Sequence, residues 1–210
     1  MKNRKSLWWG IGSLLAFCLW TALIGTVDVQ AIGPEGSQVG FATVNRFVHS
    51  LTGVHMGLYT LTDWLGLAPI GFVLGFGILG LVQWIGRKDL KKVDRSLFAL
   101  GGFYIVVMAV FLLFEAFPMN YRPVLIGGAL EASYPSSTTL LVMCVMPTAM
   151  MQLRTRIKNR TFLGIVTVVM IAFVVFMVIG RLVSGVHWFT DICGGALFST
   201  GLVLVYRFVS

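Results

Sequence analysis

The chain has 210 residues, enough for one domain, yet 57% are hydrophobic and only 11% charged, against about 25% charged in an ordinary globular domain. That balance excludes a soluble fold, because too few polar side chains are present to cover a water-facing surface, and a mean hydropathy of +0.88 agrees. A net charge of +8 would raise nucleic acid as a partner for a soluble protein, but here the basic residues sit in short clusters between apolar runs. No aromatic rings interleave them for bases to stack on, so no nucleic-acid partner is expected.

Taken in chain order, apolar stretches that approach the length needed to cross about 30 Å of hydrocarbon are predicted at 7–27, 67–86, 97–117, 139–153, 162–180 and 191–209. The first is too long for a signal peptide and lacks a small-residue cleavage pattern, so it is expected to be a retained span. The fourth is short and carries Pro147. Between the first two spans, Phe41, Val44, Val48, Leu51, His55, Leu58 and Leu65 recur at helical spacings and predict one amphipathic helix on the membrane surface. His55 falls on its apolar stripe, as a packing residue or as a substitute proton donor, and His49 lies on the same segment. Gly71, Gly75, Gly77 and Gly80 predict close helix contacts, and Cys18, Cys144 and Cys193 predict reduced packing residues. The expectation is a single all-α domain, 1–210: a polytopic bundle of six transmembrane helices plus an outer amphipathic helix.

Orientation follows from the basic residues. With the N-terminus cytoplasmic, thirteen of the sixteen Lys and Arg fall on that side, from Lys2, Arg4 and Lys5 through the clusters at 87–95 and 154–160 to Arg207. Both termini are then inside. Arg46, Arg122 and Arg181 remain outside, and an isolated interfacial arginine can simply snorkel. Arg181, however, precedes His187 and Asp191. A spacing of four puts His187 and Asp191 on one face if the sixth helix already includes them, where the carboxylate can orient the imidazole and leave Nε2 nucleophilic. The planar fork of an arginine suits phosphate.

The stretch Arg181, five residues, His187, three residues, Asp191, followed by Gly194-Gly195, resembles the third signature of the type 2 phosphatidic acid phosphatase superfamily. The resemblance implies that His187 attacks phosphorus and becomes a phosphohistidine, that Asp191 orients it and that Arg181 binds phosphoryl oxygens. The first signature, Lys, six residues, Arg-Pro, is met by Arg122-Pro123, with Glu115 at the lysine position. The second, Pro-Ser-Gly-His, appears as Pro135-Ser136-Ser137-Thr138 before the fourth span, so Ser136, Ser137 and the helix N-terminus can cradle phosphate while Thr138 replaces the general acid.

The two altered positions have calculable consequences. Glu115 removes a positive charge beside a phosphate dianion, unless the carboxyl pairs with Arg122 or Arg181. Without a general acid, a monoester loses its assisted alkoxide departure, worth about 10²–10⁴-fold. A lipid diphosphate expels a phosphate monoester, whose second pKa near 6 lets it leave unassisted. Glu115, Glu131 or Tyr134 of the outer loop could also supply the proton.

The expected function is an integral membrane lipid phosphatase for a lipid phosphate or diphosphate, such as a polyprenyl diphosphate, with its active site on the outer face of a cell membrane and lipids around it. A catalytically silent lipid-phosphate binder and a lipid phosphotransferase stay as alternatives. No metal or other cofactor is implied, and the sequence leaves the oligomeric state open.

Overall fold

A computed structural model describes residues 4–210; Lys2, one of the basic residues expected on the inner side, lies outside the described residues. The chain is helical: α1 (Arg4–Ile24), α2 (Ala42–Thr52), α3 (Met56–Leu65), α4 (Leu67–Arg87), α5 (Arg95–Ala116), α6 (Ser137–Arg156), α7 (Arg160–Val183) and α8 (Phe189–Val209), with short 3₁₀ turns at Pro34–Gly36 and Leu90–Lys92. Among the described residues the only strand-like pairing is isolated bridges, two of them in the loop between α5 and α6.

Five helical stretches are long and apolar enough to cross a membrane: α1, the run Met56–Arg87 that joins α3 to α4, α5, α7 and α8. Their outward faces are apolar. Leu74, Ile78 and Val82 on α4, Ile105 and Leu112 on α5, and Ile165, Val168 and Val169 on α7 are exposed large hydrophobics, the distribution expected when the solvent is hydrocarbon.

The core lies along α6 and α8. Leu140, Val142, Cys144, Val145, Met146 and Ala149 of α6 are buried with Phe198, Val203 and Tyr206 of α8. This central position explains the weak apolar signal of the fourth predicted span. A helix surrounded by protein can carry polar groups provided each finds a partner. Gln152 Nε2 donates to Tyr206 Oη at 2.7 Å, and Thr148 Oγ1 donates to the Cys144 carbonyl at 2.8 Å. At 20 residues, α6 is longer than the stretch 139–153 and about 30 Å in length. Pro147 sits within it without ending it. The first helix packs along α8, where a Cβ on Gly10 would stand 2.9 Å from Val205 and one on Gly201 would stand 2.7 Å from Leu14.

Two expectations are corrected. The single amphipathic helix is two helices, α2 and α3, because Gly53 takes φ 66° and ψ −157°, a conformation that no helix continues through. His55 consequently leaves the apolar stripe: it is exposed ahead of α3, and its Nε2 lies 2.8 Å from the Thr52 carbonyl. The α4 glycines are not close contacts either, since a Cβ at Gly71, Gly75, Gly77 or Gly80 would meet nothing within 4 Å. The close approaches occur where α1 meets α8 and around the loops described next. The three cysteines are free.

Candidate active site

Four segments converge at one end of the bundle: α3, the loop 117–136, the start of α6, and the junction of α7 with α8. The loop is held as a narrow hairpin, with the Arg122 N–H donating to the Glu131 carbonyl at 3.0 Å and the Ser133 N–H donating to the Asn120 carbonyl at 2.9 Å. Its end is anchored by Tyr134, which is 1% exposed, packs against Phe17 and Phe114, and shares a 2.7 Å hydrogen bond with Thr21. Burial pushes the Tyr134 hydroxyl well above the usual phenol range, so it stays protonated. Gly194 is required here: a Cβ would stand 2.7 Å from the Tyr134 ring carbon Cζ. The Ser136 N–H, at the N-cap of α6, then reaches the Asp191 carbonyl at 3.1 Å, fastening the loop to α8.

The α7–α8 junction is shaped by Gly185 at φ 68°, whose backbone lies against the Gly53 carbonyl so closely that any Cβ would collide. The Ser184 carbonyl accepts from the His55 N–H at 2.9 Å, and His49 Nε2 lies 3.1 Å from the Gly185 carbonyl. The break between α2 and α3 therefore supports the turn that presents His187. The eighth helix begins at Phe189, so His187 precedes it and the two residues are not on one helical face as the spacing suggested. Asp191 instead caps its own helix, its Oδ2 accepting from the Trp188 N–H at 2.9 Å.

The predicted nucleophile is 3% exposed and its predicted orienter 0%. They do not bond directly, because His187 Nδ1 and Asp191 Oδ2 are 3.9 Å apart. Ser133 Oγ lies between, 3.0 Å from Nδ1 and 2.5 Å from Oδ2. Asn120 Nδ2 donates to the other carboxylate oxygen at 3.2 Å. On the opposite side of the ring, Arg122 Nη1 is 3.3 Å from Nε2. A guanidinium only donates, so the bond requires Nε2 to be the unprotonated nitrogen. Burial first, then the positive charges of Arg122 and Arg181, hold the His187 pKa well below the ordinary histidine value. The imidazole is neutral at neutral pH, with its free lone pair toward the arginine.

Both predicted phosphate-binding arginines reach this cluster. Arg122 is 8% exposed and its Nε lies 3.0 Å from Glu131 Oε2, although misaligned for a hydrogen bond. Arg181 is 1% exposed and lies within α7 rather than beyond its end. Its Nη2 donates to Asp63 Oδ1 at 2.9 Å and to Thr138 Oγ1 at 2.5 Å. The two guanidinium carbons lie 5.8 and 4.9 Å from the Tyr59 ring centroid, so one ring serves both cations. Arg181 Nε and Ser136 Oγ are buried with no hydrogen-bond partner, and Arg122 Nε has only its misaligned contact with Glu131, the kind of donor set that phosphoryl oxygens satisfy. Ser137, the first residue of α6, is half-buried and lines a cavity of about 40 Å³ with Glu115, Arg122, Glu131, Ser133 and Tyr134.

Glu115 is exposed near the end of α5. The ion pairs of Arg122 and Arg181 are made with Glu131 and Asp63 instead. Thr138 is bound to Arg181 through its hydroxyl. Four contributors are not among the site residues expected from the sequence: Tyr59, Asp63, Asn120 and Ser133. The first two belong to a surface helix whose apolar stripe drew attention away from its polar face. Asn120 and Ser133 flank Arg122 and Pro135, and only that adjacency signalled them.

Residues 49–210 match the model of the PAP2 superfamily. No curated protein sequence matches the chain. Among solved structures, the chain is similar to one titled as the crystal structure of the first transmembrane PAP2 type phosphatidylglycerolphosphate phosphatase from Bacillus subtilis, with TM-score 0.52 and 21% identity over 95% of this chain and 94% of that one. The fold is thus that of a transmembrane PAP2 protein, and with most of its length under the family model the chain belongs to the PAP2 superfamily.

Proposed function

We propose that the chain is an integral membrane lipid phosphatase in which His187 attacks phosphorus, Arg122 and Arg181 bind the phosphoryl oxygens with Ser136, Ser137 and the first amides of α6, and Asp191 supports the histidine. One observation carries this reading. Arg122 Nη1 stands 3.3 Å from the free Nε2 of His187, so a phosphoryl oxygen drawn to that guanidinium brings its phosphorus to the nucleophile. The Nε2 lone pair forms the N–P bond while the leaving oxygen departs with its electron pair. Water then attacks phosphorus, the N–P pair returns to Nε2, and phosphate is released.

The substrate class follows from the leaving group. Thr138 supplies a hydroxyl where a general acid is wanted, and Arg181 already occupies it. A lipid diphosphate, such as a polyprenyl diphosphate, releases a phosphate monoester and needs no such acid. A monoester such as phosphatidic acid or phosphatidylglycerol phosphate releases an alkoxide and does. In topology, α6 is a crossing as well, fourth in chain order, which brings the number to six; both termini are cytoplasmic, and the site opens at the outer face of a cell membrane. The inward clusters at 87–95 and 154–160 support that orientation.

Phosphate release by purified protein without added metal, from undecaprenyl diphosphate, phosphatidylglycerol phosphate and phosphatidic acid, tests the reading. The expected result is release from the diphosphate that is lost in His187→Ala by about 10⁴-fold or more. Equal or faster turnover of either monoester overturns the substrate assignment. Release that survives His187→Ala overturns the nucleophile. A second reading, a silent lipid-phosphate binder, is favoured by the pairing of Arg122 with Glu131 and of Arg181 with Asp63. It requires vanadate or phosphate binding with no turnover.

A further inference from the structure

We infer that Ser133 is the positioning residue of this site, and that His187 is oriented through a relay, His187 Nδ1–H to Ser133 Oγ and Ser133 O–H to Asp191 Oδ2, in place of a direct histidine–carboxylate bond. The inference rests on the proposal that His187 is the nucleophile. Its geometric basis is independent of turnover.

The hydrogen-bond directions are forced from both ends. Arg122 can only donate, which leaves Nε2 unprotonated and puts the single imidazole proton on Nδ1. That proton faces Ser133 Oγ at 3.0 Å. The hydroxyl accepts it and spends its own proton on Asp191 Oδ2 at 2.5 Å. Reversing the hydroxyl would leave Asp191 without this donor and would require a proton on Nε2, pointed at a guanidinium. Only one tautomer therefore satisfies every partner in a pocket where His187 and Asp191 are 3% and 0% exposed.

The backbone of Ser133 is engaged as well, its N–H donating to the Asn120 carbonyl and a backbone hydrogen bond joining it to His187, and the hydroxyl adds the link to Asp191. As Nε2 bonds to phosphorus, positive charge grows on the ring and the Nδ1 proton becomes a stronger donor. Ser133 oxygen meets that proton, and its own O–H strengthens toward the carboxylate. No proton has to change owner, and when water breaks the N–P bond the ring returns to its starting tautomer. Asp191 acts at 3.9 Å through the hydroxyl rather than by contact.

Two measurements test this. The first is ¹⁵N NMR of the histidine-labelled protein in detergent. The chain has three histidines, so His187 is identified by the signals lost in His187→Ala. The expected spectrum has Nδ1 protonated and Nε2 not; a proton on Nε2 in the unaltered protein overturns the relay whatever any variant does. The second is kinetic. Ser133→Ala should lower kcat by about 10²-fold with KM within about threefold, while Arg122 keeps Nε2 unprotonated and the Nδ1 proton, having lost the hydroxyl that accepts it, shifts its resonance. Ser133→Thr, which keeps the hydroxyl, should restore most of the rate and the Nδ1–H resonance. Ser133→Ala with kcat and the Nδ1–H resonance both unchanged overturns the inference. Should His187→Ala retain phosphate release, the nucleophile proposal fails, and the tautomer measurement still decides the relay.

Discussion

The two sides of the site differ in how completely their groups are held. On the nucleophile side, His187, Ser133 and Asp191 are buried and bonded in sequence, with Asn120, the Trp188 N–H and Arg122 closing the remaining positions. On the leaving-group side, Glu115 is exposed with no arginine bound to it, and the hydroxyl of Thr138 is taken by Arg181. Under the proposed mechanism, the difference marks which half of the chemistry the protein must assist. Attack on phosphorus needs a fixed, neutral imidazole, and burial plus two cations provide one. Departure of a group that is already a weak base needs little help, so the acid can be missing.

The largest way to sharpen that comparison is to restore the acid. Thr138→His should raise turnover of phosphatidic acid by about 10²–10⁴-fold and change diphosphate turnover little, as measured by phosphate release from each. A uniform loss on both substrates would mean that position 138 serves Arg181 alone. The next effect concerns pH. Because the His187 pKa lies well below the ordinary value, the imidazole stays neutral as pH falls through 6.5. The acid limb of kcat/KM should lie well under that point, whereas an unshifted histidine would already have lost about tenfold one unit lower. The same sign applies to stability: the unfolded chain takes up the proton first, so stability declines as pH drops below about 6.5 and continues to decline until the folded-state pKa is reached. Thermal unfolding across that range checks it. The smallest effect is Glu115→Lys, which returns a cation to the exposed rim. A gain of about 1 kcal/mol, or roughly fivefold in KM for an anionic substrate at low salt, is expected, and it should fade as ionic strength rises.

Much of the fold was legible because lipid imposes one simple rule on everything that faces it. The helices α1, α4, α5, α7 and α8 announce themselves as apolar runs. The fourth stretch, 139–153, was harder, since α6 is surrounded by protein and keeps Thr148 and Gln152 by bonding them internally. The surface segment misled in the other direction. Its apolar repeat continues past Gly53, but the backbone does not, and the break is what lets that segment dock on Ser184 and Gly185. In the site, Arg122, Arg181, His187 and Asp191 could be named from motif spacing together with the family resemblance it carries. Their geometry could not: the four-residue interval suggested a direct pair on one helix, while the helix starts two residues after His187.

By itself, then, the sequence determined a lipid-embedded helical chain, its family resemblance and the identities of the charged groups at one end, because hydropathy and motif spacing are local properties that survive without a fold. Only the tertiary structure decided that Ser133 stands between His187 and Asp191, that Tyr59 serves both arginines, and that Asp63 rather than Glu115 pairs with Arg181. Those contacts join residues 54 to 122 positions apart in the chain. The physical reason is that hydrogen bonds and ion pairs act over about 3 Å, so their partners are chosen by how the helices pack and not by their order along the chain.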